Sequence, residues 1–406
     1  MSGKSEPRPR LLFVVNVGWF FISHRLPIAR AARDAGFEVH VATHADRGDA
    51  AVLLGEEIVL HNVPLERGKL SISSDLRYLL RLARVMRNIR PDIVHNVTVK
   101  PVLYGTIAAR ALRVGGIVNA LSGLGYSFSS DHRWALAAAL RVAFRGVFRS
   151  SKVLLIVQNA DDQDLMTSAR IIEAARIVLI RGSGVDLREY PFTMEPPDIE
   201  PLVLLPARLL RDKGVCEFAE ASALLADRGC RARFAIAGRL DESNPAAFTR
   251  RELDELLQRY PVQWLGQVQD MPSLYRETSI VCLPTFYREG LPKALLEACA
   301  CGRPVVTTDV PGCRDVVEHE VNGLLVPIRN SHALADALQA LIDDPERRAR
   351  FGLAGRRRVE EQFGIERVIA QTLALYGRAF GAQHPSLSAD PPSTISDDLR
   401  CSGRGD

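Results

Sequence analysis

The sequence predicts an α/β protein made of two doubly wound parallel-sheet domains. Three observations predict it: short apolar runs alternate with helical patterns, the runs form two sets, and a proline-rich segment separates the sets. In the first half the runs are 11–17, 38–43, 93–95, 117–120 and 153–157. In the second they are 202–206, 233–237, 262–265, 280–283, 305–307 and 323–326. The segment 190–200, with prolines at 191, 196 and 197, reads as the linker. The first domain is therefore expected over 10–189 and the second over 198–363. Such a pair takes its ligand in a crevice beside the carboxyl ends of the strands. A last helix, about 366–380 within the segment 364–381, follows the second domain. The tail 384–406 has hardly any apolar residues and is expected to be disordered.

At 406 residues the chain has room for two or three cores, and 47% hydrophobic with 25% charged residues is ordinary for a soluble globular protein. All seven cysteines follow residue 215 without a Cys-x2-Cys pair, which favours a reducing compartment and gives no zinc spacing. Lys4, Arg8 and Arg10 precede the apolar run 11–22, which imitates a secretory signal. Asn16 interrupts that run and no small-x-small cleavage site follows, so it reads as a first strand. No uninterrupted apolar stretch approaches the ~20 residues that span a bilayer.

Charge is uneven: residues 1–190 carry a net +9 and the remainder −5. The first half is therefore expected to meet an anionic surface or ligand. Within it, 132–152 reads as a basic helix, with Arg141, Arg145 and Arg149 in one stripe. Trp134, Leu140, Phe144, Val147 and Phe148 add apolar bulk, so this helix is expected to dock on anionic lipid. A second row, Arg77, Arg81, Arg84 and Arg87, adds general basicity.

The chemistry-bearing stretch is 286–298. Glu289 and Glu297 frame a turn with Gly290 and Pro292, followed by an apolar helix. Glycine supplies the turn, and proline fits the first turn of a helix. An open helix N-terminus favours an anion, while carboxylates accept from sugar hydroxyls, so the pair suits a nucleotide sugar. Arg208 and Lys213 follow the strand at 202–206, five residues apart across a strand-to-helix turn closed by Gly214. Two fixed cations there can neutralise a departing diphosphate. Asp162-x-Asp164 opens a predicted helix, where carboxylates are favoured anyway, so no metal is implied.

With Glu-x7-Glu in place, Gly302-Arg-Pro-Val-Val, Pro311-Gly312 and Asn322-Gly323-Leu-Leu-Val complete a resemblance to the donor half of family 4 glycosyltransferases. Pro206-Ala-Arg208-Leu-Leu-Arg-Asp-Lys213-Gly214 resembles that family's phosphate clamp. In the first half, 19–27, 92–101 and 122–126 resemble a subgroup making bacterial capsule, O-antigen and lipid-linked oligosaccharides. That subgroup includes N-acetylgalactosaminyltransferases acting on undecaprenyl-diphosphate sugars. The resemblance covers roughly residues 10 to 380 and implies the GT-B fold: two Rossmann-like domains across a cleft, with the C-terminal helix crossing back to the first.

The resemblance also implies a retaining, metal-independent transferase without a cofactor, using a UDP-sugar, an N-acetylhexosamine, as donor. Its acceptor would be a polyprenyl-diphosphate-linked sugar or other glycan at the cytoplasmic face of the plasma membrane. It implies catalytic roles for Arg208, Lys213, Glu289 and His95, the last contacting acceptor or donor sugar. Glu297 would hold the ribose, and Gly290 and Leu291 would offer N–H groups to the diphosphate. Gly18, after the first strand, would let a ligand approach the backbone. Gly238 and Val268 follow strands where a uracil can meet backbone groups. Lys100 and the turn 122–125 are candidates for an acceptor phosphate. The rivals are a nucleotide-sugar epimerase on the same frame and a non-catalytic binder of nucleotide sugar or membrane.

Overall fold

The structure, a computed structural model, describes residues 8–65, 71–123, 134–195, 200–241, 244–287 and 290–380. The first seven strands are β1 Arg10–Val17, β2 Glu38–His44, β3 Val59–Asn62, β4 Ile93–Val97, β5 Gly116–Ala120, β6 Val153–Val157 and β7 Ile177–Leu179. They pair in parallel in the order β3-β2-β1-β4-β5-β6-β7. The next six are β8 Leu202–Pro206, β9 Arg233–Ala237, β10 Gln263–Trp264, β11 Ile280–Leu283, β12 Val305–Thr308 and β13 Gly323–Val326. These give a second parallel sheet, β10-β9-β8-β11-β12-β13.

Both sheets are doubly wound because side chains alternate across them and both faces must be covered. In β1, Leu12 and Val14 join one layer of the core, while Leu11, Phe13 and Val15 join the other. Burying Phe13 completely contributes about 1.5–3 kcal/mol. The order of each sheet reverses once, between β1 and β4 and between β8 and β11. A crevice opens at the carboxyl end of such a switch point.

The chain crosses between lobes earlier than expected. Val185 N–H bonds to Phe363 O at 3.0 Å and Ile365 N–H to Val185 O at 3.0 Å, so the two crossings run side by side. Residues 190–195 of the expected linker are fastened to the second lobe. Tyr190 is buried there, Arg303 donates to the Thr193 carbonyl, and Arg348 pairs with Glu195 at 2.8 Å. Proline content signalled an irregular path, but not that the path would be packed.

The helix Ile365–Phe380 returns to the first lobe. Its Tyr376 hydroxyl lies 2.7 Å from His95 Nδ1, and a Cβ on Gly116 would meet the Ala379 carbonyl at 2.8 Å. His95 therefore sits in mid-strand, 1% exposed with its ring tilted against Phe13 at 5.1 Å, and does not face the cleft. Expecting it at a strand end was an error of boundary, because β4 runs on to Val97.

Burial, and then the Arg25 charge, hold the His95 ring well below the usual histidine range. Burial also lowers His24, His40 and His61. The unfolded chain therefore binds more protons than the native one between the depressed folded values and about 6.5, and stability falls as pH drops through that window. Replacing His95 by Asn should flatten the pH dependence of urea stability by up to about 1.4 kcal/mol per pH unit. An unchanged slope between pH 5 and 6.5 would contradict this account.

Candidate functional site

The donor-side elements converge on the switch point between β8 and β11. Arg208 leaves the end of β8, and its Nη1 donates to Asp241 Oδ2 at 2.7 Å. Asp241 is buried and the arginine side chain is 31% exposed, so a fixed carboxylate aims a guanidinium that solvent still reaches. Lys213 closes the turn Arg211–Lys213. The Asp212 carbonyl in that turn accepts from the Thr285 hydroxyl at 2.9 Å and the Phe286 amide at 3.1 Å. The turn after β8 is thereby fastened to the loop after β11.

The helix Lys293–Ala300 begins behind Pro292, and no side chain among the described residues caps it. Glu297 on this helix is 8% exposed. Its Oε1 pairs with Lys293 at 3.2 Å and its Oε2 accepts from the Tyr275 hydroxyl at 3.1 Å. The i,i+4 pair is thus formed, and it holds the carboxylate in one place. Glu289 lies outside the described residues, as do 124–133.

Gly290 and Leu291 are pinned to the first lobe. Asn159 Nδ2 donates to the Gly290 carbonyl at 3.3 Å, and the Leu291 amide donates to Gln158 Oε1 at 3.2 Å. A Cβ on Gly290 would lie 2.0 Å from that same glutamine oxygen. The Leu291 N–H expected to face a diphosphate is turned to Gln158 instead.

Three other expectations change. Gly18 makes room for the Asp49 carboxylate, which a Cβ would meet at 2.4 Å, so its neighbour is protein. Gly238 has both backbone groups engaged: its N–H bonds to Gly266 O at 2.8 Å and its carbonyl accepts from Trp264 Nε1 at 2.8 Å. A Cβ there would strike the Ala207 carbonyl at 1.8 Å, so close packing of strand ends explains the glycine. Lys100 pairs with Asp75 at 2.8 Å. Val268 is half-buried against the second-lobe core.

The basic helix also differs. It spans Trp134–Val147, and Phe144, Val147 and Phe148 are buried in the first-lobe core. Arg145 donates to the Ala169 carbonyl at 2.8 Å. Of the apolar residues expected to enter lipid, Phe144, Val147 and Phe148 face the core instead, while Val142 on the same helix is 66% exposed.

Sequence reasoning missed the contacts that cross the cleft. The Trp19 ring of the first lobe lies 5.4 Å from the Arg208 guanidinium and 4.3 Å from that of Arg239. Such contacts contribute about 0.5–2 kcal/mol each. Burial, then the charges of Arg25, Lys293 and Arg208, hold His24 well below the usual histidine range, so the field of the second lobe reaches it. Arg25 itself is buried, its value pulled down to about 10 by that burial, and it donates to the His24 carbonyl at 3.0 Å.

Two family profiles divide the chain as the two sheets do. Residues 10–159 match the family described as glycosyl transferase 4-like, and residues 188–358 match glycosyl transferases group 1. The chain is a family 4 glycosyltransferase with the GT-B fold. The enzyme is 28% identical over 386 residues to N,N'-diacetylbacillosaminyl-diphospho-undecaprenol alpha-1,3-N-acetylgalactosaminyltransferase of Campylobacter jejuni, covering 91% of this chain and 98% of that one. It is 25% identical to the capsular polysaccharide biosynthesis glycosyltransferase CapM of Staphylococcus aureus, over 87% of this chain and 94% of the other. In structure the glycosyltransferase resembles Anabaena HepE, solved with UDP and glucose, at a TM-score of 0.71 and 20% identity, covering 90% and 98% of the two chains.

Proposed function

We propose that the enzyme moves an N-acetylhexosamine from a UDP-sugar to a polyprenyl-diphosphate-linked sugar at the cytoplasmic face of the plasma membrane, with retention and without a metal. The observation that carries this reading is Arg208, aimed by Asp241 at the switch point and covered from the first lobe by Trp19. The names of the relatives support the lipid-linked acceptor.

In the reaction, the bond between the anomeric carbon and the diphosphate oxygen breaks, and its electron pair stays on the diphosphate. Arg208, Lys213 and the first-turn N–H groups of the helix Lys293–Ala300 offset that charge. The acceptor hydroxyl arrives on the same face, and its proton passes to the departing diphosphate oxygen. Glu289 would stabilise positive charge at the anomeric carbon, and Glu297 would accept from the ribose.

Purified enzyme should be incubated with a panel of UDP-sugars and polyprenyl-diphosphate-linked acceptors, and the products read by mass spectrometry. The expected product is the acceptor heavier by one sugar in α linkage. Conversion of the donor without acceptor, or no transfer from any UDP-sugar, would overturn the reading. Glu297→Gln should raise the donor KM about 10-fold or more with a smaller effect on kcat, the loss of a hydrogen bond to a charged group. An unchanged KM would remove Glu297 from the ribose site.

A further inference from the structure

Ser122, Gln158, Asn159 and Gly182 of the first lobe meet the Gly290–Leu291 turn of the second, and the transfer reaction described above uses none of the four. Ser122 follows β5, Gln158 and Asn159 follow β6, and Gly182 follows β7. The contact therefore comes from the carboxyl ends of three neighbouring strands. A Cβ on Gly290 would lie 3.1 Å from the Ser122 carbonyl carbon as well as 2.0 Å from Gln158 Oε1. One on Gly182 would lie 3.0 Å from Leu291 Cβ. The turn sits in a seat with no room for a further methyl group on either side.

The polar contacts are more selective than the packing. The Gly290 carbonyl and the Leu291 N–H are the two polar groups of one peptide bond. Asn159 Nδ2 donates to the first at 3.3 Å, and Gln158 Oε1 accepts from the second at 3.2 Å. Two side chains of one lobe thus grip both edges of a single peptide plane of the other, which sets its rotation as well as its distance. Turned over, that peptide would leave both of its polar groups facing the wrong partner. The asparagine is also tied within its own lobe. It caps the helix Ala160–Ser168, its Oδ1 accepting from the Asp162 N–H at 2.7 Å while its Nδ2 donates to Asp162 Oδ2 at 3.1 Å.

When the lobes part, water takes over each of these hydrogen bonds, so their net contribution is modest and the grip can open and close. Its position distinguishes it from ordinary packing. Glu289 precedes the gripped peptide in sequence, and Lys293, which opens the donor-side helix, comes two residues after it. The side chains assigned to the nucleotide, Arg208, Lys213 and Glu297, all belong to the second lobe. A grip from the first lobe can therefore alter the alignment of the reacting groups without altering how the nucleotide is held.

Taking sugar transfer as the reaction, we propose that Gln158 and Asn159 are positioning residues: they clasp the Gly290–Leu291 peptide when the lobes close, and so align the donor turn with the acceptor side of the cleft. Neither touches the reacting atoms. The Leu291 N–H serves this clasp and not the diphosphate.

The test sets transfer rate against donor affinity and lobe closure in the full chain. Gln158→Ala should lower kcat about 10–100-fold, from the lost buried hydrogen bond and a misplacement of about 1 Å. UDP affinity, measured by calorimetry, should stay at the wild-type value, and so should thermal unfolding. Gln158→Glu keeps an acceptor in the same place and should restore most of the lost rate. Gly290→Ala should be damaging alone, because its methyl meets Gln158 Oε1, but should add little on the Gln158→Ala background. In solution scattering with UDP, wild type should be more compact than Gln158→Ala. Unchanged kcat in Gln158→Ala overturns the proposal and leaves only packing. A parallel fall in UDP affinity also overturns it, and makes Gln158 a donor contact. Equal scattering radii, or losses in Gly290→Ala and Gln158→Ala that simply multiply, overturn it as well. If no acceptor gives transfer, the reaction assigned above fails, and the scattering and UDP-binding comparison still decides the clasp.

Discussion

Arg208→Ala is expected to lower kcat by about 10²–10³, the usual cost of removing one donor to a developing oxyanion. The geometry sharpens the expectation. The guanidinium is held at 2.7 Å by the buried Asp241 carboxylate, so its direction is set before any donor binds. A charge that needs no reorganisation stabilises the leaving diphosphate more than the intact donor, and kcat and kcat/KM should fall together. Arg208→Lys should recover only part of the loss, because an ammonium keeps the charge but not the planar fork. Asp241→Asn should give an intermediate loss, since it loosens the aim without removing the cation. Lys213→Ala should cost a comparable factor, and the double variant less than the product of the two, because both act on one group. Steady-state rates and donor KM decide it. A raised KM with undiminished kcat would make Arg208 a ground-state contact and sink the electrostatic part of the mechanism.

Most strands were legible because a parallel strand covered on both faces must be apolar nearly throughout, as β6 (Val-Leu-Leu-Ile-Val) and β8 are. The two strands missed sit at the edges of the first sheet. β3 is Val-Leu-His-Asn with exposed ends, and β7 is three residues long, so neither carries enough buried surface to stand out. The boundary of β4 was misjudged because Asn96 is buried and polar. Its amide donates to Asn119 on β5 at 2.9 Å, a pairing that only the fold reveals.

Candidate residues that share one turn could be grouped from sequence, and those that meet across the cleft could not. Arg208, Lys213 and Gly214 stand close in sequence, and the resemblance of that turn to the family's phosphate clamp suggested their use. Trp19 on Arg208 and Gln158 on Leu291 join positions more than a hundred residues apart, and no periodicity encodes that. Glycine was the least reliable clue. At Gly18 and Gly238 it leaves room for the protein's own atoms, which a sequence cannot distinguish from room for a ligand.

Gly214→Ala should be among the most damaging single-methyl changes in the second lobe. Gly214 has φ +76 and ψ 29, a left-handed conformation, and an added Cβ would lie 2.2 Å from the Pro284 carbonyl oxygen and 2.7 Å from its carbon. The conformation costs alanine about 1–2 kcal/mol and the overpacking about 1–3 more, so a loss of roughly 2–5 kcal/mol is expected. Gly229 is the matched control: φ is +74, but nothing lies within 4 Å of its added Cβ. Gly229→Ala should therefore show the conformational cost alone, and the difference between the two variants isolates the close approach. The clash also falls on backbone, which cannot rotate away as a side chain can. Pro284 precedes Thr285, whose hydroxyl is bonded to the Asp212 carbonyl, so relief must move the turn that carries Lys213. Gly214→Ala should lose turnover along with urea stability, whereas Gly229→Ala should keep wild-type turnover. Equal destabilisation of the two variants would mean that β11 and the turn after β8 do not approach as closely as described, and the fixed placement of Lys213 would lose its structural basis.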